Sequence, residues 1–170
     1  MSKEIINRVE KSKLISIDLE EYYPYGDRYE IDLKDWLFNG LYLKEKPFRE
    51  SIKNHNWTQY KDAFVAISCT SQAIIPPWAY MLISSKLSNH AKKTVIGNLN
   101  DLEVKLFEEK MQKIDLSIYQ DKSIVIKGCS NNKIPVSIYY NICAKLLPIA
   151  KSIMYGEACA SVPIFKKNPS

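Results

Sequence analysis

Ala63-Phe-Val-Ala-Ile-Ser-Cys69, Lys93-Thr-Val-Ile-Gly97 and Ser123-Ile-Val-Ile-Lys-Gly-Cys129 are the apolar runs whose reading decides the fold of this chain. Between and after them lie residues 77–87, 102–111 and 135–155, whose apolar positions recur at a period of 3.6 rather than 2. The runs begin about thirty residues apart, the length of one βαβ unit. Continuous apolar character in the first and third predicts strands covered by helices on both faces. The expectation is an α/β protein, a small three-layer fold with a mostly parallel sheet built from βα repeats and an N-terminal strand-and-helix region. No internal sequence repeat is visible beyond that alternation. Two of the three runs end in cysteine, and open parallel sheets place their ligand sites at the carboxyl ends of strands.

A chain of 170 residues can bury one good core. The expected organisation is a single α/β domain over 1–170, with an acidic and aromatic region at 1–62, the βα repeats at 63–156 and an extended tail at 157–170 packed on the body. A hydrophobic fraction of 46% with five glycines and eight prolines argues against a disordered or collagenous chain. No apolar stretch reaches the roughly 18 residues of a membrane span. Met1-Ser-Lys-Glu brings charge at once and no signal-peptide core follows, so the expected location is cytoplasmic.

The net charge of +5 is uneven: residues 1–62 hold 11 Lys and Arg against 12 Asp and Glu, and residues 63–170 hold 13 against 7. The lysines of the basic part are scattered, with no block beyond Lys92-Lys93 and Lys166-Lys167, which suits solvated helix faces better than a nucleic-acid surface. A small anion remains a possible partner.

Leu14 to Leu19 alternates cleanly and reads as a half-buried edge strand, after a first helix over 3–11. Alternation would put Asp18 and Glu20 on one side, within a run of seven acids from Asp18 to Asp35 that is either a solvated face or a rim for a divalent cation. Residues 35–40 read as a short helix or turn, 41–43 as a brief strand, and Pro47 as the first helical position before 48–54. Asn100 with Glu103 three residues on suggests an N-cap and capping box. The last helix is expected from Pro135 toward Gly156, kinked or split at Pro148.

Cys69 and Cys129 close neighbouring repeats just before helices begin, where a helix N-terminus would favour the thiolate. If their strands share one sheet, both lie at one edge. Cys159, on the tail, has slack to reach the same place, whereas Cys143 sits inside a helix and reads as packing. Three cysteines around one pocket would suit zinc or an iron–sulfur cluster, with Asp18, Glu20, His55 or His90 as further ligand or outer partner. A metal-free redox or nucleophilic thiol and ordinary structural cysteines are the other readings. The loop around Cys129 could also cradle a small anion, through Lys127, Ser130, Asn131 and Lys133, with Thr70 and Ser71 at the same edge. It has neither GxxxxGK[ST] nor GxGxxG.

Leu14-Ile-Ser-Ile-Asp-Leu-Glu-Glu-Tyr-Tyr-Pro24, Lys34-Asp-Trp-Leu-Phe-Asn-Gly40, Ile75-Pro-Pro-Trp-Ala-Tyr-Met81, Lys127-Gly-Cys-Ser130 and Tyr155-Gly-Glu-Ala-Cys-Ala-Ser-Val-Pro163 together resemble the bacterial family catalogued as domain of unknown function 2480, found mainly in the Bacteroidota. The resemblance spans nearly the whole chain. It implies cysteines at Cys69, Cys129 and Cys159 as a family feature, none at Cys143, and no known activity, substrate or cofactor.

The leading expectation is therefore a three-cysteine zinc or iron–sulfur site at the carboxyl edge of the sheet. The alternatives are metal-free thiol chemistry and a non-enzymatic module that binds a small anion or a protein. Whether the protein is an enzyme is not decided by these residues. Tyr22, Tyr23, Tyr25, Tyr29, Trp36, Phe38 and Tyr42 crowd one region, which raises the expectation of a homodimer.

Overall fold

The computed structural model describes residues 14–128, 134–157 and 160–168. The order is β1 (Leu14–Asp18), β2 (Arg28–Asp32), α1 (Glu45–Asn54), β3 (Phe64–Ser68), α2 (Pro77–Leu87), β4 (Lys93–Ile96), α3 (Leu99–Met111), β5 (Ser123–Lys127), α4 (Val136–Leu146), β6 (Ser152–Glu157) and β7 (Ala160–Lys166), with short 3-10 turns between. This is the α/β class that the periodicity predicts. The strands form two sheets, ordered β1-β5-β6-β7 and β2-β3-β4. Every pairing is parallel except β6 with β7. The contacts divide accordingly: a first unit built on the chain up to Pro24 and from Phe107 onward, and a second on Tyr25–Leu106.

In the second unit β3 is central, and its alternate residues feed two cores. Val65 and Ile67 pack with Phe48 and Ile52 of α1 and Ala79, Ile83 and Leu87 of α2. Phe64 and Ala66 pack on the opposite face with Leu102 and Leu106 of α3. A strand buried on both faces needs apolar residues at both parities, which explains the unbroken run. Burying Ile83 completely stabilises the fold by about 1.5–3 kcal/mol. In the first unit β5 is central, with Ile124, Val125 and Ile126 buried, and α4 buries Ile138, Ile142 and Leu146.

The two units repeat one design that sequence inspection did not reveal. A constant shift of 59 residues carries β3 onto β5 (64 to 123), α2 onto α4 (77 to 136) and β4 onto β6 (93 to 152). The shift aligns Tyr60 with Tyr119, Asp62 with Asp121, Pro76 with Pro135, Tyr80 with Tyr139, Lys92 with Lys151 and Gly97 with Gly156. Asp62 and Asp121 both take positive φ, 58° and 55°. Their N–H groups make matching bonds, to His90 O and Ile149 O. The opening strands match as well: Ile17-Asp18-Leu19 and Ile31-Asp32-Leu33 each end a strand in an aspartate that caps the following 3-10 turn.

Several local expectations are corrected. The final helix stops at Leu146, and Ile153 lies in β6 instead. Pro148 cannot donate a helix hydrogen bond, and the chain beyond it finds a partner in β5. The cap of α3 is Asn98 rather than Asn100: Asn98 Oδ1 accepts from Asn100 N and Asp101 N, and Asp101 Oδ2 accepts from Asn98 N. Helix α1 begins at Glu45, so Pro47 is its third residue. The stretch read as a helix or turn at 35–40 is a 3-10 turn, Leu33–Trp36, followed by Asn39 and Gly40 at positive φ. The brief strand expected at 41–43 is one isolated bridge between Phe38 and Tyr42. The helix expected at 3–11 lies outside the described residues. Residues 160–166 of the tail run as an extended strand, β7, paired antiparallel with β6.

Candidate functional site

The parallel strands of each sheet end together, so each unit has a carboxyl edge. In the second unit that edge is formed by Asp32, Ser68 and the connection that leads into α2. Asp32 Oδ1 accepts from Lys34 N at 3.0 Å and Thr70 N at 3.1 Å, and Oδ2 accepts from the Thr70 hydroxyl. Burial pushes the Asp32 carboxyl up. The Thr70 hydroxyl, the backbone N–H groups of Lys34 and Thr70 and the Lys34 charge together outweigh this and hold it below its ordinary value. Cys69 is a half-buried free thiol whose Sγ lies 3.4 Å from Ser71 Oγ, and Ser71 Oγ in turn accepts from Ala73 N. Tyr80 of α2 is held above its ordinary pKa, first by burial and then by the neighbouring Cys69. Ser68 Oγ is buried without a partner among the described residues.

The first unit builds the same edge from different residues. Asp18 Oδ1 accepts from Glu20 N at 3.0 Å. The chain leaves the strand at Asp18, so Glu20 lies in the 3-10 turn and not on the strand face that alternation predicts. In register, Asp18 sits opposite Lys127 at the end of β5. Lys127 Nζ is 3.1 Å from Glu157 at the end of β6. The Tyr139 hydroxyl, the repeat partner of Tyr80, donates to the carbonyl of Gly128, and its ring meets Tyr155 edge-on at 5.6 Å. The candidates Cys129, Ser130, Asn131, Lys133 and Cys159 lie outside the described residues.

The expected sharing of one sheet by the strands before Cys69 and Cys129 is corrected: β3 belongs to the three-stranded sheet and β5 to the four-stranded one. β3 ends at Ser68, so Cys69 lies beyond it, and β5 ends at Lys127. Among the described residues no group of three or more His, Cys, Asp or Glu is placed to hold a metal ion. Cys143 is half-buried in α4.

His55 sits in an aromatic box. Its ring stacks on Tyr60 at 5.6 Å and meets Trp57 at 4.7 Å and Trp36 at 5.1 Å edge-on. Its Nε2 is 2.7 Å from the Tyr60 hydroxyl, and burial lowers its pKa from 6.5. That box and the core absorb much of the aromatic cluster. Trp36 packs on Phe48, Tyr29 on Tyr60 and Tyr23 on Phe107. Tyr25, Phe38 and Tyr42 stay exposed.

The second unit also carries a groove of about 980 Å³ between α2 and β4, lined by Ile67, Ile75, Pro77, Tyr80, Met81, Ser84, Ser85, Ser88, Thr94, Val95 and Ile96. Sequence reasoning missed this groove, the roles of Asp32 and Glu157, and the paired tyrosines. The equal spacing of Tyr80 and Tyr139 from their preceding prolines was the available signal.

Fold and edges define a class, a duplicated parallel βαβ protein with polar residues and cysteines after its central strands. Within that class the chain belongs to the family described as protein of unknown function DUF2480, which it matches over residues 3–167. No curated protein and no solved structure is significantly similar to it. No helix among the described residues is long and apolar enough to cross a membrane.

Proposed function

We propose that this protein binds a thiophilic metal, zinc or an iron–sulfur cluster, through Cys129 and Cys159, at the carboxyl ends of β5 and β6. The observation that carries the reading is the arrangement around the ends of β5 and β6. These strands are parallel neighbours, their last residues Lys127 and Glu157 are ion-paired, and each is followed two residues later by a cysteine. The repeat adds support. The position that Thr70 holds beside Asp32 in the second unit is Cys129 in the first (70 to 129), and the aspartate of that unit is Asp18. A thiol and a carboxylate in place of a hydroxyl and a carboxylate would turn a closed hydrogen-bonded pair into a pair of metal donors. Cys69 holds the strand-to-helix connection of the second unit. Thiolates would bind zinc or iron only when deprotonated, so metal uptake would release protons. Bound zinc would polarise a carbonyl or phosphoryl oxygen or activate water.

The test is elemental analysis with a visible spectrum on anaerobically purified, untagged protein, beside Cys69→Ser, Cys129→Ser, Cys159→Ser and Cys143→Ser. About one zinc per chain, or irons with sulfide absorbance, lost in Cys129→Ser and Cys159→Ser and kept in Cys69→Ser and Cys143→Ser, is the expected result. Metal-free wild-type protein with one fast-reacting thiol would replace this reading with redox or nucleophilic chemistry. Metal-free protein with unreactive thiols would leave a binding module.

A further inference from the structure

In the first unit β6 is covered along its outer side by β7, with Ile153 opposite Phe165 and Tyr155 opposite Val162. Its repeat partner β4 has only β3 beside it among the described residues. The shift of 59 residues places Thr94 and Ile96 where Ile153 and Tyr155 stand (94 to 153, 96 to 155). Gly97 N donates to Ile67 O at 2.9 Å. In a parallel ladder alternate residues turn both backbone groups to the same neighbour, so Val95 serves β3 while Thr94 and Ile96 turn theirs outward. Beside this edge lies the groove, and no charged side chain lines it. Met81 and Ile96 at its rim are 71% and 64% exposed. All seven described strands already have their places in the two sheets, so no described strand remains to cover β4.

We infer that β4 pairs antiparallel with β4 of a second copy of this chain and closes a two-fold dimer. The antiparallel sense is the one that β7 adopts on the equivalent strand. The register follows from the outward groups: Thr94 opposite Ile96 of the second copy, and Ile96 opposite its Thr94, with Val95 on the two-fold axis. Other registers use only one outward pair. Directly opposed residues share a face, so each Ile96 lies over the groove beside the other copy's Thr94, and apolar surface is buried without burying a charge. The lysines do not oppose this. Four residues at about 3.4 Å separate Lys93 from its counterpart along the ladder, which exceeds the screening length of about 8 Å. Another outer strand, β7, is blunted: it carries Pro163, which has no N–H to donate, and ends in Lys166. The centre of β4, Thr94-Val95-Ile96, has no such device. An isologous pairing also consumes both edges and stops, whereas β7 on β4 of the next copy would propagate into a filament.

Sedimentation velocity on the full chain over a concentration series tests this. Wild-type protein is expected at twice 19.6 kDa. Ile96→Lys puts a charge at the centre of the pairing and should weaken association by about 100-fold or more. Ile96 is exposed in the single chain, so its circular dichroism and melting at high dilution should not change. Ile164→Lys, on exposed β7, should leave the dimer intact. A wild-type monomer at about 100 μM, well above typical affinities of specific dimers, overturns the inference. So does a dimer that survives Ile96→Lys, or one lost in Ile164→Lys alone.

Discussion

The two units share a backbone plan and differ in what they do with its two exposed features, the carboxyl edge and the outer strand. In the second unit Asp32 is saturated by Thr70 and Lys34, and β4 has only β3 beside it among the described residues, with a groove at its side. In the first the outer strand is paired with β7, and the described residues at the edge are Asp18 and the Lys127–Glu157 pair. A duplicated fold has two copies of each surface, and one copy of each can specialise without unfolding the other. On the two readings proposed above, the first unit would have specialised its edge and the second its outer strand.

If the units are one design, matched substitutions in them should cost the same. Ile83→Ala and Ile142→Ala each remove a fully buried side chain, from α2 and α4. Each should cost about 2–5 kcal/mol in urea unfolding. A loss confined to one would break the equivalence. The glycine pair should then behave alike in the two units. Gly97 and Gly156 have φ of 140° and 115°. A Cβ on Gly156 would meet the backbone oxygen of Ala160 at 2.9 Å, and one on Gly97 would meet the Asp101 carboxylate at 2.5 Å and the Asp101 Cβ at 2.8 Å. Neither the β6–β7 backbone nor the Asp101 Cβ can be moved by a side-chain rotation. Gly156→Ala and Gly97→Ala should therefore each cost about 1–3 kcal/mol, as thermal melts would show.

Smaller effects belong to the second unit alone. Because Asp32 has a folded pKa below its ordinary 3.8, its contribution is complete above that value and is lost as pH falls through the lower folded one. Thr70→Val removes the hydroxyl and should shrink this acid-induced loss, read from urea midpoints taken across the acid range. His55 should give the weakest signal. Its folded pKa lies below 6.5, so the folded state favours the neutral ring. Stability should be full above about that pH and decline as pH falls toward the folded value. His55→Gln should flatten that decline, and an unchanged slope would place the titrating group elsewhere.

Much of the local architecture was legible because it rests on local patterns. The run from Ala63 announces a strand buried on both faces, and Pro77–Leu87 stands in the structure with the bounds its periodicity implies. The strand β2 was missed because Arg28, Glu30 and Asp32 leave only Tyr29 and Ile31 to mark it. The division into two sheets was invisible for a different reason. Strand order is set by contacts between residues far apart, and the evenly spaced runs at 63, 93 and 123 read as one series of βα repeats. In fact the first two belong to one sheet and the third to another. Of the candidate site, the connections after β3 and β5 were correctly singled out by their cysteines. The pairing of Lys127 with Glu157 was not, because it needs the parallel neighbourhood of β5 and β6.

The central claim is that cysteines after the strands hold a metal, and X-ray absorption on the purified protein at the zinc or iron edge counts the sulfur neighbours directly. About two sulfur scatterers near 2.3 Å for zinc, falling by one in Cys129→Ser, are the predicted result. A first shell made only of nitrogen and oxygen, unchanged by that substitution, would contradict it.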